Sequence, residues 1–113
     1  KLVVEGTGEQ TRDFVFVGDV AEANFLAARS GSAGFSVMNV CSGTEISVAG
    51  LAGLVSTELG GVRVEHAPAR EKDIMRSWGS NARAAGAVGF HPATGIAEGL
   101  RITISDHIER SSK

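Results

Sequence analysis

Arg12-Asp13 is the part of this chain whose residue types best fit chemistry. The pair lies at the mouth of the apolar run Phe14-Val15-Phe16-Val17, just after the glycine turn Gly6-Thr7-Gly8. A guanidinium is planar and pairs with phosphate through two parallel hydrogen bonds, so Arg12 is a candidate anion ligand. The plain alternative is a surface ion pair between Arg12 and Asp13, worth less than about 1 kcal/mol. Arg70-Glu71-Lys72-Asp73 is a second candidate, and its plain alternative is a solvated charged loop. Arg12 and Arg70 together would match the charge of a pyrophosphate diester. An ionised Asp73 is acceptor-only and suits the hydroxyls of a neighbouring sugar.

Other chemistries find less support. Gly6-Thr7-Gly8 imitates a dinucleotide loop, but position 11, where a third glycine belongs, holds Thr11. Such a loop must also follow a strand and open a helix, whereas this one precedes a strand. His66, His91 and His107 do not share metal-ligand spacing, so no zinc site is expected. Cys41, in MNVCSG, reads as a small packing or turn residue and not as a nucleophile, and no GxSxG elbow occurs. Trp78 reads as a hydrophobic anchor, with stacking on a base or ring as the alternative.

The elements that must hold these residues fit one domain of 113 residues. Hydrophobic content is 42% and charged content 21%, ordinary for a globular protein. The net charge of −2 shows no nucleic-acid footprint. A single cysteine cannot form an internal disulfide, which favours a reducing, cytoplasmic compartment. Apolar runs are too short for a membrane span, and no signal peptide is apparent. Lys1-Leu2-Val3-Val4 reads as a strand end, as if the chain began inside something larger.

Phe14–Val17 is apolar on both faces and predicts a strand covered on both sides. Gly18 ends it, and Asp19 is placed to cap a helix over Val20–Ala28. Ser30-Gly31-Ser32-Ala33-Gly34 reads as a loop. Val37-Met38-Asn39-Val40 predicts a second strand. Ser47 caps a helix whose stripe is Val48, Leu51, Ala52, Val55 and Leu59, stopped by Gly60-Gly61. Val62–His66 alternates as a strand up to Pro68. Ser80 starts a short helix through Ala85, broken by Gly86, Gly89 and Pro92. Ile96, Leu100, Ile104, His107 and Ile108 share a face of a last helix, although Ile102-Thr103-Ile104 also fits a strand. Strands alternating with helices predict an α/β fold with a small mixed, partly parallel sheet.

Three segments together resemble one family. GTGEQTRDFVFVGDVAEA is similar to the GxGxQxRDFxYVxDVxxA segment of nucleotide-sugar epimerases and dehydratases, the extended short-chain dehydrogenases of UDP-glucose 4-epimerase and dTDP-glucose dehydratase type. MNVCSGTEISVAGLAGLV resembles the family's YNVGTGxxxSvxeLaxxi. APAREKDIMRSWGSNARAAGAVGFHPATGIAEGL resembles its ARxGDvrxSxADxskAxxxLGfxPxxxleeGL. The likeness spans nearly the whole chain, in order. It implies the carboxy-terminal, substrate-binding part of such an enzyme over residues 1–113, a subdomain that normally accompanies a Rossmann domain. By the same resemblance, Arg12 and Arg70 hold the pyrophosphate of a UDP- or dTDP-sugar and Asp73 holds ribose hydroxyls.

The family's YxxxK base and GxxGxxG loop are missing here, and the chain has no tyrosine at all. The resemblance therefore implies that this chain binds no cofactor alone, that NAD serves the complete enzyme, and that the isolated chain is inactive. Phe16 replaces a usual tyrosine, Cys41 stands where glycine is common, Lys72 replaces the glycine of GxD, and Gly79-Ser80 replaces Ala-Asp. The expected partners are a nucleotide sugar and either a Rossmann half or a second copy of the chain, with no nucleic acid and no membrane. The alternative is a stand-alone nucleotide-sugar-binding or protein-interaction module without catalysis.

Overall fold

A computed structural model describes residues 1–31 and 33–113. Strand β1 (Leu2–Glu5) is followed by β2 (Thr11–Arg12) and helix α1 (Val17–Arg29). Then come β3 (Ile46–Ser47), α2 (Val48–Glu58), β4 (Val64–Ala67), α3 (Ala82–Val88) and α4 (Ile96–Ser111). The strands form two separate pairs. β1 runs parallel to β4, with Leu2 beside Val64 and Glu5 beside Ala67. β2 runs antiparallel to β3, with Thr11 beside Ser47 and Arg12 beside Ile46. The α/β class and the parallel pair agree with the sequence reading; the single mixed sheet does not form.

Elements that carry their own signals form as expected. Ser47 Oγ accepts the Gly50 N–H at 3.0 Å and caps α2, which ends just before Gly60-Gly61. α4 is helical through Ile102-Thr103-Ile104, because a period near 3.6 outweighs three β-favouring residues. β4 starts two residues later than expected and still stops before Pro68. α3 departs from the expected bounds: it opens at Ala82, whose N–H reaches Ser80 Oγ at 3.2 Å, and Gly86 does not break it, so it runs to a left-handed Gly89.

Both inner strands predicted from apolar runs are corrections. Phe14–Phe16 is not a strand, and helix α1 already begins at Val17. The run is apolar on both sides because Phe16 lies against α4, not because it is sandwiched in a sheet. A Cβ on the buried Gly99 would stand 3.2 Å from the Phe16 ring, so glycine permits the close approach. Asp19 is not the helix cap. It lies in the first turn, buried, and its Oδ2 accepts the Thr94 N–H at 3.1 Å, tying α1 to the loop before α4.

Val37–Val40 is the second correction. Met38 and Val40 pack on the core cluster of Ala23, Ala84 and Phe90, while Val37 and Asn39 face outward. That is strand-like alternation without a ladder. No backbone-to-backbone hydrogen bond reaches these residues among those described, and Val37 O accepts instead from Arg83 Nη1 at 2.9 Å. Of the expected Ser30–Gly34 loop, Ser32 lies outside the described residues.

The core is thin. Its buried apolar residues are Val4, Ala23, Ala52, Ala84 and Phe90. The accessible surface is 7797 Å², against about 5,900 Å² for a compact monomer of this mass. The radius of gyration is 16.7 Å, where about 13 Å is usual for this length. With principal extents of 49 × 39 × 19 Å, the chain is a plate, and its surplus surface lies on the plate's faces.

Candidate functional site

β2 is only two residues long, but it is clamped on both edges. β3 pairs on one side, and Thr11 N donates to Met75 O at 2.8 Å on the other. This brings the loop after β4 against Arg12. Arg12 Nη2 meets Asp73 Oδ1 at 2.6 Å, and Nη1 donates to Ile74 O at 2.6 Å and Thr11 O at 2.7 Å. Arg12 therefore does not pair with Asp13. Its Nε–H, one Nη2–H and the Asp73 Oδ2 keep no protein partner among the described residues. Arg12 and Asp73 are 30% and 28% exposed, so the guanidinium is held but reachable.

Arg70 reaches the same place from the loop after β4, and its Nε pairs with Glu5 Oε2. Glu5 ends β1, and its carbonyl accepts Gln10 Nε2 at 3.0 Å. An open cleft of about 380 Å³ is lined by Glu5, Gln10, Arg12, Arg70 and Asp73, with Val3 and Val48 as apolar wall. The two arginines expected to bind an anion and the acid expected to hold ribose hydroxyls thus line one cleft, although Arg12 and Asp73 are 61 positions apart in sequence. Sequence reasoning missed Glu5, whose place at a strand end carried no chemical signal. The cleft holds Arg12 and Arg70 against Glu5 and Asp73, so its formal charge is balanced.

Asp13 turns the other way and serves the scaffold. Its Oδ1 accepts the Ser42 N–H at 2.7 Å and the Ser42 hydroxyl at 2.6 Å, while Oδ2 accepts Gly43 N at 2.9 Å and Gly79 N at 3.3 Å. Burial pushes the carboxyl upward, but these donors outweigh it and hold Asp13 below its ordinary value of 3.8. Glu45 is likewise lowered, chiefly by its hydrogen bond from Arg76 and then by Thr11 Oγ1 at 2.7 Å. Arg76 lies over the Trp78 ring, 4.7 Å from its centroid. Trp78 is more than half exposed, so it supports Arg76 and is not the buried anchor expected.

Cys41 is clamped by Asn81, which accepts its N–H at 2.9 Å and donates to its carbonyl at 2.6 Å. Burial, with the nearby Asp13 charge, pushes the thiol upward, which opposes thiolate chemistry. His66 Nδ1 contacts Gly6 O at 2.8 Å, and His91 and His107 are exposed. Among the described residues no three metal-ligating side chains converge. No helix among them is long and apolar enough to cross a membrane.

The Gly6–Gly8 turn follows β1, leads into β2 and opens no helix. α2 fills it: Gly8 O accepts Ala49 N at 2.9 Å, and a Cβ on Gly8 would stand 2.8 Å from Ala49 Cβ. The residues present do not fit a dinucleotide there.

Lys72 adopts φ 61°, the left-handed region that disfavours a Cβ. Relieving that strain outweighs the added freedom of a glycine in the unfolded chain. Lys72→Gly is expected to raise stability by about 0.5 kcal/mol, read as a slightly higher urea midpoint. An unchanged or lower midpoint contradicts the strain.

The parallel strand pair and its flanking helices make a small α/β unit that matches part of short-chain dehydrogenase epimerases in fold. The family model described as "NAD dependent epimerase/dehydratase family" matches residues 1–41. Over most of its length the chain is similar to UDP-glucose 4-epimerases. It is 32% identical over 105 residues to a putative UDP-glucose 4-epimerase of Methanocaldococcus jannaschii, covering 91% of this chain and 33% of that protein.

Among solved structures, the UDP-glucose 4-epimerase of Thermotoga maritima with UDP-glucose superposes with a TM-score of 0.88 at 27% identity, covering 100% of this chain and 36% of that one. The UDP-N-acetylglucosamine 4-epimerase of Methanobrevibacter ruminantium M1, in complex with UDP-N-acetylmuramic acid, does so at 0.85 and 31% identity, over 97% and 35%. The chain spans about a third of the length of these relatives.

Proposed function

We propose that this chain is the nucleotide-sugar-binding part of an NAD-dependent epimerase or dehydratase. The single observation carrying the reading is the convergence of Arg12, Arg70 and Asp73 on one open cleft. Arg12 is fixed by two carbonyls and a carboxylate and keeps two N–H groups for a diphosphate oxygen. Arg70 is more exposed and supplies the second positive charge. Asp73 uses Oδ1 on Arg12 and offers Oδ2 to a ribose hydroxyl. The bound UDP-glucose and UDP-N-acetylmuramic acid named for two relatives support the ligand class.

NAD and the reacting groups belong, in this reading, to a separate Rossmann half. The surplus surface, the unpaired edge at Val37–Val40 and an apolar groove of about 440 Å³ lined by Phe14, Phe16, Leu51, Ile96 and Leu100 support a large covering body. The role of this chain is orientation, which accelerates a reaction only when the reacting half is present.

Titration of the chain with UDP-glucose by calorimetry tests the reading. Each charge-assisted hydrogen bond contributes about 1.5–3 kcal/mol. After ordering costs, a dissociation constant of about 0.1–1 mM is expected. Absence of heat at millimolar ligand would defeat it. The same exposed faces favour a second reading, a protein-interaction module. Mass in solution addresses it: a stable dimer that binds no nucleotide sugar favours that module.

A further inference from the structure

We propose that Glu5 is the counter-charge that tunes this cleft, weakening anion binding and favouring a diphosphate diester over a ligand with a free terminal phosphate. The inference rests on the nucleotide-sugar reading above. Its observation is that the carboxylate lining the cleft beside Arg70 is placed by the backbone, independently of its own side chain. Glu5 is held in β1 against Ala67 of β4, and its carbonyl accepts from the buried Gln10. The following Gly6 N–H donates to Ala67 O at 2.8 Å. The side chain then reaches Arg70 across the cleft.

The Glu5–Arg70 pair is 41% and 72% exposed on its two sides, so it holds Arg70 weakly. Its main consequence is electrostatic. Arg12 and Arg70 are balanced by Asp73 and Glu5, and an arriving anion meets a neutral cleft. Each carboxylate is paired with one arginine, but Glu5 is the more exposed of the two and its pair the looser, so Glu5 is the carboxylate that chiefly repels the ligand's phosphates. Coulomb repulsion grows in proportion to ligand charge. A nucleotide sugar carries a diester diphosphate, whereas a free nucleoside diphosphate carries about one further negative charge on its terminal phosphate. Glu5 therefore opposes the second more than the first. A cleft with this setting keeps a nucleotide sugar in preference to the nucleotide alone.

Glu5→Gln keeps the side-chain length and the backbone bonds and removes the charge. Calorimetric titration of wild type and Glu5→Gln with UDP-glucose and with UDP tests the inference. The variant is expected to bind UDP-glucose about fivefold tighter and UDP about tenfold tighter, with both gains shrinking as salt is raised. Glu109→Gln, the same charge change on α4 outside the cleft, is expected to alter neither ligand by more than about twofold. Equal affinities in wild type and Glu5→Gln overturn the role of Glu5 alone. So does a Glu109→Gln gain of the same size. Absence of binding in every variant overturns the nucleotide-sugar reading, and the counter-charge with it.

Discussion

Asp13→Ala is expected to cost about 2–3 kcal/mol of stability, a fall in melting temperature on the order of 10 °C. The carboxylate gathers donors from two distant segments, Ser42-Gly43 and Gly79. Its removal leaves those amides without an acceptor beside Cys41, whose sulfur stands 2.7 Å from where a Cβ on Gly79 would lie. Since the folded carboxyl is held below its ordinary value, the unfolded state binds protons first as pH falls. The contribution of Asp13 is complete above its unfolded value, about 3.9, and is lost as pH falls through the lower folded value. Wild type and variant should therefore differ most near neutrality and converge in acid. Urea melts at pH 7 and at pH 3 check this, and a pH-independent difference would contradict it.

Arg12→Ala is expected to weaken UDP-glucose binding by at least about tenfold and to cost about 1–2 kcal/mol of stability. The guanidinium holds the loop after β4 through Asp73 and Ile74, so the variant loses both a ligand donor and the loop's anchor. Arg12→Lys separates the two effects. A lysine restores the charge as a point, without the fork that serves two carbonyls and a carboxylate together. It is expected to regain part of the affinity and little of the stability. Full recovery of both by lysine would show that charge alone matters. Unchanged affinity in Arg12→Ala would remove Arg12 from the site.

Helices α2 and α4 were legible because each carries its own evidence, a periodic stripe and, for α2, a serine cap. Strands depend on neighbours that a local reading cannot see. β1 and β4 find each other, whereas Val37–Val40 has the alternation of a strand and no ladder partner among the described residues. Phe14–Val17 misled because a segment lining an apolar groove looks like a buried strand. The three cleft residues came from the family resemblance, since their spacing alone left a surface ion pair and a charged loop open. Asp13 looked like the partner of Arg12, but the two side chains serve different halves of the molecule. Glu5 gave no signal, because its meaning depends on Arg70 across the fold.

The open edge at residues 35–40 has a consequence for handling the chain. Phe-Ser-Val-Met-Asn-Val contains no charge and no proline, and Phe35 is 93% exposed. Apart from Val37 O, which accepts from Arg83, the backbone here makes no ladder hydrogen bond among the described residues, and such a stretch beside exposed apolar side chains favours pairing with further copies. Natural edges carry gatekeeping charges against such aggregation, and this one carries none. The expected consequence is strand pairing between copies of this chain in concentrated solution.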